Sequence, residues 1–200
     1  MGKGDLTRQS IVARAAGLAS QLGLEGVTIG ALAEALDLSK SGLFAHFRSK
    51  EALQQQVLEY AAARFTEVVI RPALGAARGE PRLRALFESW RQWPQASGLP
   101  GGCLFVQAAV ELDDRTGPVR DLLVQQQRDL LELIATVAGS AVKEGQFRKD
   151  LDVDQLAHEL YGIMLAWHHA SRLMRDPQAD ARANLAFDAL VTRARKPRRS

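Results

Sequence analysis

The chain has 200 residues, 46% hydrophobic and 24% charged, enough to bury a core in one or two small domains. Its formal charge of +3 arises at one end: Arg193, Arg195, Lys196, Arg198 and Arg199 stand there without an acid, and the remaining 21 basic residues face 23 acidic ones. This excludes a broadly polycationic binder, and the single cysteine excludes an intrachain disulfide and suits a reducing cytoplasm. No charged-then-apolar leader opens the chain and no apolar run approaches the roughly 20 residues that span a bilayer, so neither secretion nor membrane insertion is expected.

Abundant Ala, Leu, Gln, Arg and Glu, with the mid-chain prolines mostly where helices would begin or end, predict an all-α fold. The first helix is expected from about Thr7 to Leu22, with Ile11, Ala15, Leu18, Ala19 and Leu22 as its apolar stripe and Gly23 as its stop. Thr28 then caps a short helix, with Val27 and Leu32 as a hydrophobic staple. Ser39 repeats the device, with Leu38 and Leu43 as the staple, and only Asp37 and Leu38 remain to turn the chain. Two short helices at so tight a turn have the geometry of a DNA-binding helix-turn-helix.

A longer helix is predicted from Ser49, carrying Leu53, Val57, Leu58, Ala61, Phe65 and Val68, and ending at Pro72. One helix should cover Arg82 to Trp93, and Pro94 to Gly102 reads as a loop. Cys103 to Leu112 forms a short apolar helix, and Pro118 opens a long one reaching about Lys143. Asp152 and Gln155 make a capping box before a helix that is apolar on more than one face, through Leu156, Leu160, Ile163, Met164, Trp167 and Leu173. The last helix runs from about Ala179 to Arg193 with Leu185, Phe187, Leu190 and Val191. Helices too apolar for one core face need a second partner, so these last two are expected to pair with a second copy.

The stretch of Thr28, Ser39, Leu43, Phe44, His46, Phe47, Lys50, Glu51 and Leu53 resembles the N-terminal domain of the TetR/AcrR family of bacterial transcriptional regulators. The close likeness covers roughly Thr7 to Leu58, and a weaker one continues through Pro100–Phe105 and Glu111–Asp114, as in the ligand-binding half of one branch. Two departures stand out. The family's turn glycine is Asp37 here, a residue that tolerates a left-handed conformation. The recognition-helix tyrosine, whose hydroxyl reaches a phosphate, is Phe44.

The resemblance implies a helix-turn-helix head at residues 1–48, a connector helix at 49–71, a ligand-binding and dimerisation domain at 72–195 and a basic tail at 196–200, the last read as a solvated end. On the recognition helix, Lys40, Ser41, Gly42 and Ala45 are not needed for packing and can meet base edges, with Phe44 beside them. Thr28, Ser39, His46 and Lys50 lie at helix starts or flanks, where phosphates are held. Trp90, Trp93, Cys103, Phe105, Gln107, Tyr161, Met164, Trp167 and His168 are the candidate ligand-pocket residues, of a mainly apolar kind.

The function expected is that of a ligand-responsive regulator, most simply a repressor, which binds a palindromic double-stranded DNA operator as a homodimer and is released by a small, largely apolar effector. One alternative is a thiol-based redox or electrophile-sensing repressor using Cys103, which follows two glycines at a helix start. Another is an architectural helical DNA-binding protein without a ligand. No cofactor or metal is expected: the histidines His158, His168 and His169 lack the i, i+4 spacing of a helical zinc pair. No nucleophile elbow, phosphate loop or dinucleotide fingerprint suggests an enzyme.

Overall fold

The computed structural model describes residues 3–37 and 39–196; of residues 3–7, 44 and 45 it describes the backbone alone. The staple residue Leu38, the side chains of Phe44 and Ala45, and the tail residues Arg198 and Arg199 therefore lie outside the described residues. Among the described residues the fold is all-α, and Phe147 and Arg195 form one isolated antiparallel bridge. The helices are α1 (Lys3–Leu22), α2 (Ile29–Leu36), α3 (Lys40–His46), α4 (Lys50–Phe65), α5 (Arg71–Gly75), α6 (Glu80–Ala96), α7 (Leu104–Leu112), α8 (Pro118–Lys143), α9 (Val153–His168) and α10 (Ala179–Ala194). Wider π turns follow α4 at Thr66–Ile70 and α9 at His169–Leu173.

Several boundaries differ from those expected. α1 starts at Lys3 rather than Thr7. The helical path from α4 does not stop at Pro72: the π turn leads into α5, where Pro72 occupies the first turn and its missing N–H costs nothing. α6 begins at Glu80 and runs past Pro94, which falls in its last turn; the Ser97 N–H still reaches the Trp93 carbonyl at 2.9 Å. Leu22 is 58% exposed and leaves the α1 stripe, whereas Val12 and Ala16 join the core. The capping box before α9 is half formed: Asp152 accepts from the N–H groups of Asp154 and Gln155, but the Gln155 amide donates to Glu159.

Two compact units divide the chain, and the boundary passes through α6 and α8. The first takes residues 1–67 and 93–126. Its core joins Ile11, Ala15 and Ala19 of α1, Leu32 of α2, Leu43 and Phe47, and Leu53, Val57 and Leu58 of α4, all buried. α7 packs on α1 through a close backbone approach: the Gly101 N–H donates to Ser20 Oγ at 2.8 Å, and a Cβ on Gly101 would stand 1.5 Å from the Ser20 carbonyl oxygen.

The second unit takes residues 68–92 and 127–200. α9 and α10 pack together there, and Phe87 stacks on Phe187 with ring centroids 4.1 Å apart and planes 6° from parallel. Glu80 pairs with Arg84 and Arg195, and Arg193 pairs with Glu159. Two of the basic residues assigned to the chain end are thus tied into this unit.

Candidate functional site

Local chemistry fixes the α2–α3 pair. Thr28 and Ser39, both extended, accept hydrogen bonds from the N–H groups of Ala31 at 3.1 Å and Gly42 at 3.0 Å. Asp37 ends α2 in the left-handed conformation at φ 53°, returning its N–H to the carbonyls of Ala33 and Glu34. The turn therefore forms with Asp where glycine is usual. Leu32, Leu43 and Phe47 bury the inner faces.

The outer face stays polar. Thr28, Ser39, Lys40 and Ser41 are exposed, Gly42 and His46 half-buried. The hydroxyls of Ser39 and Ser41 share a hydrogen bond of 3.1 Å. The Lys40 side chain extends past Gly30, where a Cβ would lie 3.7 Å from its Cε. α3 so presents a lysine and two hydroxyls at a helix start, a set able to donate to base edges and phosphates.

Lys50 is placed differently from the other expected phosphate ligands. Its ammonium donates to the Glu25 carbonyl at 3.1 Å and the Glu25 carboxylate at 3.0 Å. The same carboxylate accepts from Gln54 at 3.0 Å, and Arg115 stands 3.7 Å away. Hydrogen bonds from Lys50 first and Gln54 next hold the Glu25 carboxyl below the usual carboxylate range, with the Lys50 and Arg115 charges adding to them against desolvation. The Glu25 N–H in turn donates to Glu111 at 3.0 Å. Gly23, at φ 81°, leaves room for Glu111: a Cβ there would meet its Oε1 at 1.6 Å. The sequence reading missed this polar knot between the α1–α2 turn, α4 and α7. Its members lie up to 90 positions apart, and the only local signal was an acidic residue between two glycines.

The nine candidate pocket residues are divided between the two units. Trp93, Cys103, Phe105 and Gln107 belong to the first unit, where Phe65 meets Trp93 at 5.2 Å and Phe105 at 6.2 Å, both edge-on. Cys103 precedes α7, is buried, and caps nothing with its side chain. Burial pushes its thiol up, against the lowering effect of the Val106 and Phe105 N–H groups and the Trp93 side chain.

Trp90, Tyr161, Met164, Trp167 and His168 belong to the second unit. Trp90 lies 6.0 Å from the Tyr161 ring, and the Tyr161 hydroxyl donates to Gln127 at 2.7 Å. The Trp167 N–H donates to Asp180 at 2.8 Å, and Arg91 pairs with the same carboxylate at 3.0 Å. Trp167 therefore serves a structural knot. His168 is half-buried, and desolvation, then the charges of Arg172 and His169, lower its tendency to protonate. Among the described residues no three of His, Cys, Asp and Glu gather as a metal ion would require.

On the second unit, Leu165, Leu173, Met174 and Leu185 are exposed, at 39%, 73%, 64% and 72%. Leu190, expected beside Leu185 on the pairing face, is instead 4% exposed and part of the core. Among the described residues no helix is long and apolar enough to cross a membrane.

Comparison with known proteins agrees with this arrangement. Residues 11–57 match the family described as bacterial regulatory proteins, tetR family, and residues 79–187 match the tetracyclin repressor-like C-terminal domain. The HTH-type transcriptional repressor NemR of Escherichia coli is 25% identical over 189 residues, covering 90% of this chain and 92% of its own. A TetR transcriptional regulator from Chloroflexus aurantiacus superposes with a TM-score of 0.85 at 28% identity over 96% of both chains. The reduced form of E. coli NemR superposes with a TM-score of 0.78 at 21% identity, over 96% of this chain and 99% of its own, which bears on the fold alone. The match across both halves of the sequence shows that this chain belongs to the TetR family of bacterial transcriptional regulators.

Proposed function

We propose that the protein is a ligand-responsive transcriptional repressor of the cytoplasm, acting as a homodimer on a palindromic operator. The observation that carries this reading is the exposed polar face of α3 on a helix pair fixed by caps and a buried core. Lys40, Ser41, Gly42, Phe44 and Ala45 would meet the major groove, and Thr28, Ser39 and His46 the flanking phosphates. Lys50 contributes by fastening the start of α4 to Glu25. Residues 1–48 act as the head, 49–71 as connector, and 72–195 as the ligand and dimer domain, of which 93–126 share the head's compact unit. No catalytic role is proposed.

The second copy would cover the exposed apolar residues of α9, α10 and the π turn between them. Leu165 lies with Gly162 and Ala166, and Leu185 with Ala181 and Ala189, all exposed at helical spacing. A homodimer on a palindromic operator would place its two recognition helices in successive grooves, about one helical turn apart. The effector would be small and largely apolar, held by residues of the aromatic clusters, and would act only through its different affinity for the free and DNA-bound states.

Selection of bound sequences from random duplexes tests the reading. A recurring palindrome, with Lys40→Ala relaxing the preference at particular positions, is the expected result. Binding without sequence preference would remove it.

The sensor reading of Cys103 is favoured by its place at the start of α7 and opposed by burial, which keeps the thiol protonated. Cys103→Ser should leave release by peroxide unchanged if the thiol only packs.

A further inference from the structure

α7 lies within residues 79–187, the stretch matched by the C-terminal domain, yet it packs in the compact unit of the head. It meets the end of α1 at two places. Ahead of its first turn the Gly101 backbone lies so close to the Ser20 carbonyl that no side chain fits between them, and the Gly101 N–H donates to the buried Ser20 hydroxyl. At its last turn Glu111 reaches the loop between α1 and α2. One carboxylate oxygen accepts the Glu25 N–H at 3.0 Å, and the other fills the space that a side chain at Gly23 would take. Arg115, just past α7, approaches the Glu25 carboxylate at 3.7 Å. The first contact is backbone on backbone; the second is made by side chains and can part without opening the core.

Glu25 is held through every polar group it has: its N–H by Glu111, its carbonyl by Lys50, and its carboxylate by Lys50, Gln54 and Arg115. A half-buried turn could leave that N–H to water, so a carboxylate brought from another helix restricts geometry more than it rescues a buried group. The chain from Glu25 to the α2 cap at Thr28 has little slack. A Cβ on Gly26 would stand 2.5 Å from the Leu22 carbonyl oxygen, and the Val27 N–H bonds to the Leu24 carbonyl at 3.3 Å. The place of the Glu25 N–H therefore bears on where α2 starts. α3 follows α2, because the two share caps, a turn and a buried face.

We propose that Glu111, seconded by Arg115, is a positioning residue for DNA recognition: it latches the α1–α2 turn to α7 and so fixes the angle at which α2 and α3 meet the operator. This deepens the regulator reading and rests on it. It adds α7 to α4 among the elements that orient the head, since Lys50 at the start of α4 and Glu111 on α7 grip the same residue.

Glu111→Ala and Glu111→Gln, compared in the full chain, test the latch, because glutamine keeps an oxygen for the Glu25 N–H and alanine does not. Hydrogen exchange is followed without DNA. Affinity is then measured for the palindrome selected from random duplexes and for the same palindrome lengthened by a base pair at its centre. Glu111→Ala should speed exchange of the Glu25 amide and of α2 and α3. It should weaken binding to the palindrome about fivefold and narrow the preference over the lengthened site, since a loosely held head adapts to a shifted half-site. Glu111→Gln should stay within about twofold of wild type in all three measurements, and Arg115→Ala, which loses only an exposed pair, should fall between. A lowered urea midpoint with both duplexes weakened by the same factor would mean general destabilisation and overturns the proposal. Wild-type exchange in Glu111→Ala, or a glutamine variant as impaired as the alanine one, overturns it too. A palindrome bound equally well by wild type and Glu111→Ala removes the latch alone. Absent sequence preference in the wild type removes the regulator reading, while faster exchange in Glu111→Ala would leave the latch on α2 and α3 standing.

Discussion

The α2–α3 pair and the α9–α10 pair are both two helices meeting across apolar side chains, yet different forces fix them. α2 and α3 have eight and seven residues, too short to be stable alone, and depend on caps at Thr28 and Ser39, a left-handed Asp37 and a handful of buried side chains. α9 and α10 have 16 residues each and bury Leu156, Leu160, Met164, Phe187, Leu190 and Val191. Their outward faces differ as well: lysine and hydroxyls on the first pair, leucines on the second. A short capped pair can present polar groups without a large core behind it. A long apolar pair with apolar residues left over is suited to a second protein surface.

The largest test of this contrast is on the second pair. Leu190→Asp places a charge in the core and should destabilise the chain by about 3–5 kcal/mol, read from urea unfolding. Leu185→Asp, five residues away but 72% exposed, should leave unfolding within about 0.5 kcal/mol of wild type in the monomer and shift light scattering toward single chains. Equal effects from the two would break the distinction between core and pairing face.

Next in size is the polar face. Lys40→Ala should weaken operator binding by about 1–3 kcal/mol and relax one position if the side chain reads a base. His46→Ala should weaken all sequences evenly. Lys50→Met should weaken binding with the salt slope unchanged, because its ammonium serves Glu25. A reduced slope for Lys50→Met would assign that lysine to a phosphate instead.

How much could be read in advance follows the same division between local and distant causes. The helix-turn-helix was legible because caps, staples and turn residues act within five positions of one another. The start of α8 at Pro118 and the Asp152 cap were legible for the same reason. Pro72 misled because it falls in the first turn of α5, where its missing N–H is not needed, and Pro94 because α6 continues past it although it withholds an N–H, the Ser97 N–H still reaching the Trp93 carbonyl. Leu185 and Leu190 looked alike in sequence, since periodicity counts apolar positions without saying which ones the unit's own core consumes. The pocket residues shared a helical spacing but were divided between two units, an outcome decided by contacts far apart in sequence. Glu25 was overlooked because its partners Lys50, Gln54, Glu111 and Arg115 are joined only by the fold.

Caps offer a smaller comparison between the units. Ser49 accepts from the Ala52 N–H at 3.1 Å at the start of α4, and Asp152 accepts from two N–H groups before α9. Ser49→Ala and Asp152→Ala should each cost about 1 kcal/mol. Hydrogen exchange distinguishes them: the first should loosen α4 amides and the second α9 amides. Spreading of both effects over the whole chain would show a single cooperative unit.

The smallest effect expected is electrostatic, and its sign can be worked out. The carboxyl groups of Glu25 and Glu80 are both lowered from 4.5, the first chiefly by hydrogen bonds from Lys50 and Gln54, the second chiefly by Arg195. A carboxyl held lower in the folded state adds stability that is complete above its unfolded value and disappears as pH falls through the folded one. Glu25→Gln and Glu80→Gln should therefore be less stable than wild type at neutral pH, and the gap should close below pH 4.5. The Glu25–Lys50 pair is about two-fifths exposed, so screening keeps its share near the low end of the roughly 0–1 kcal/mol typical of surface pairs. Raising salt should shrink the Glu25 gap for the same reason. Urea midpoints of wild type and variants from pH 7 to pH 3 measure both gaps. A gap that persists unchanged at pH 3 would mean that the glutamine disturbs packing in the knot, and that the charge of Glu25 is not what fastens α4 to the α1–α2 turn.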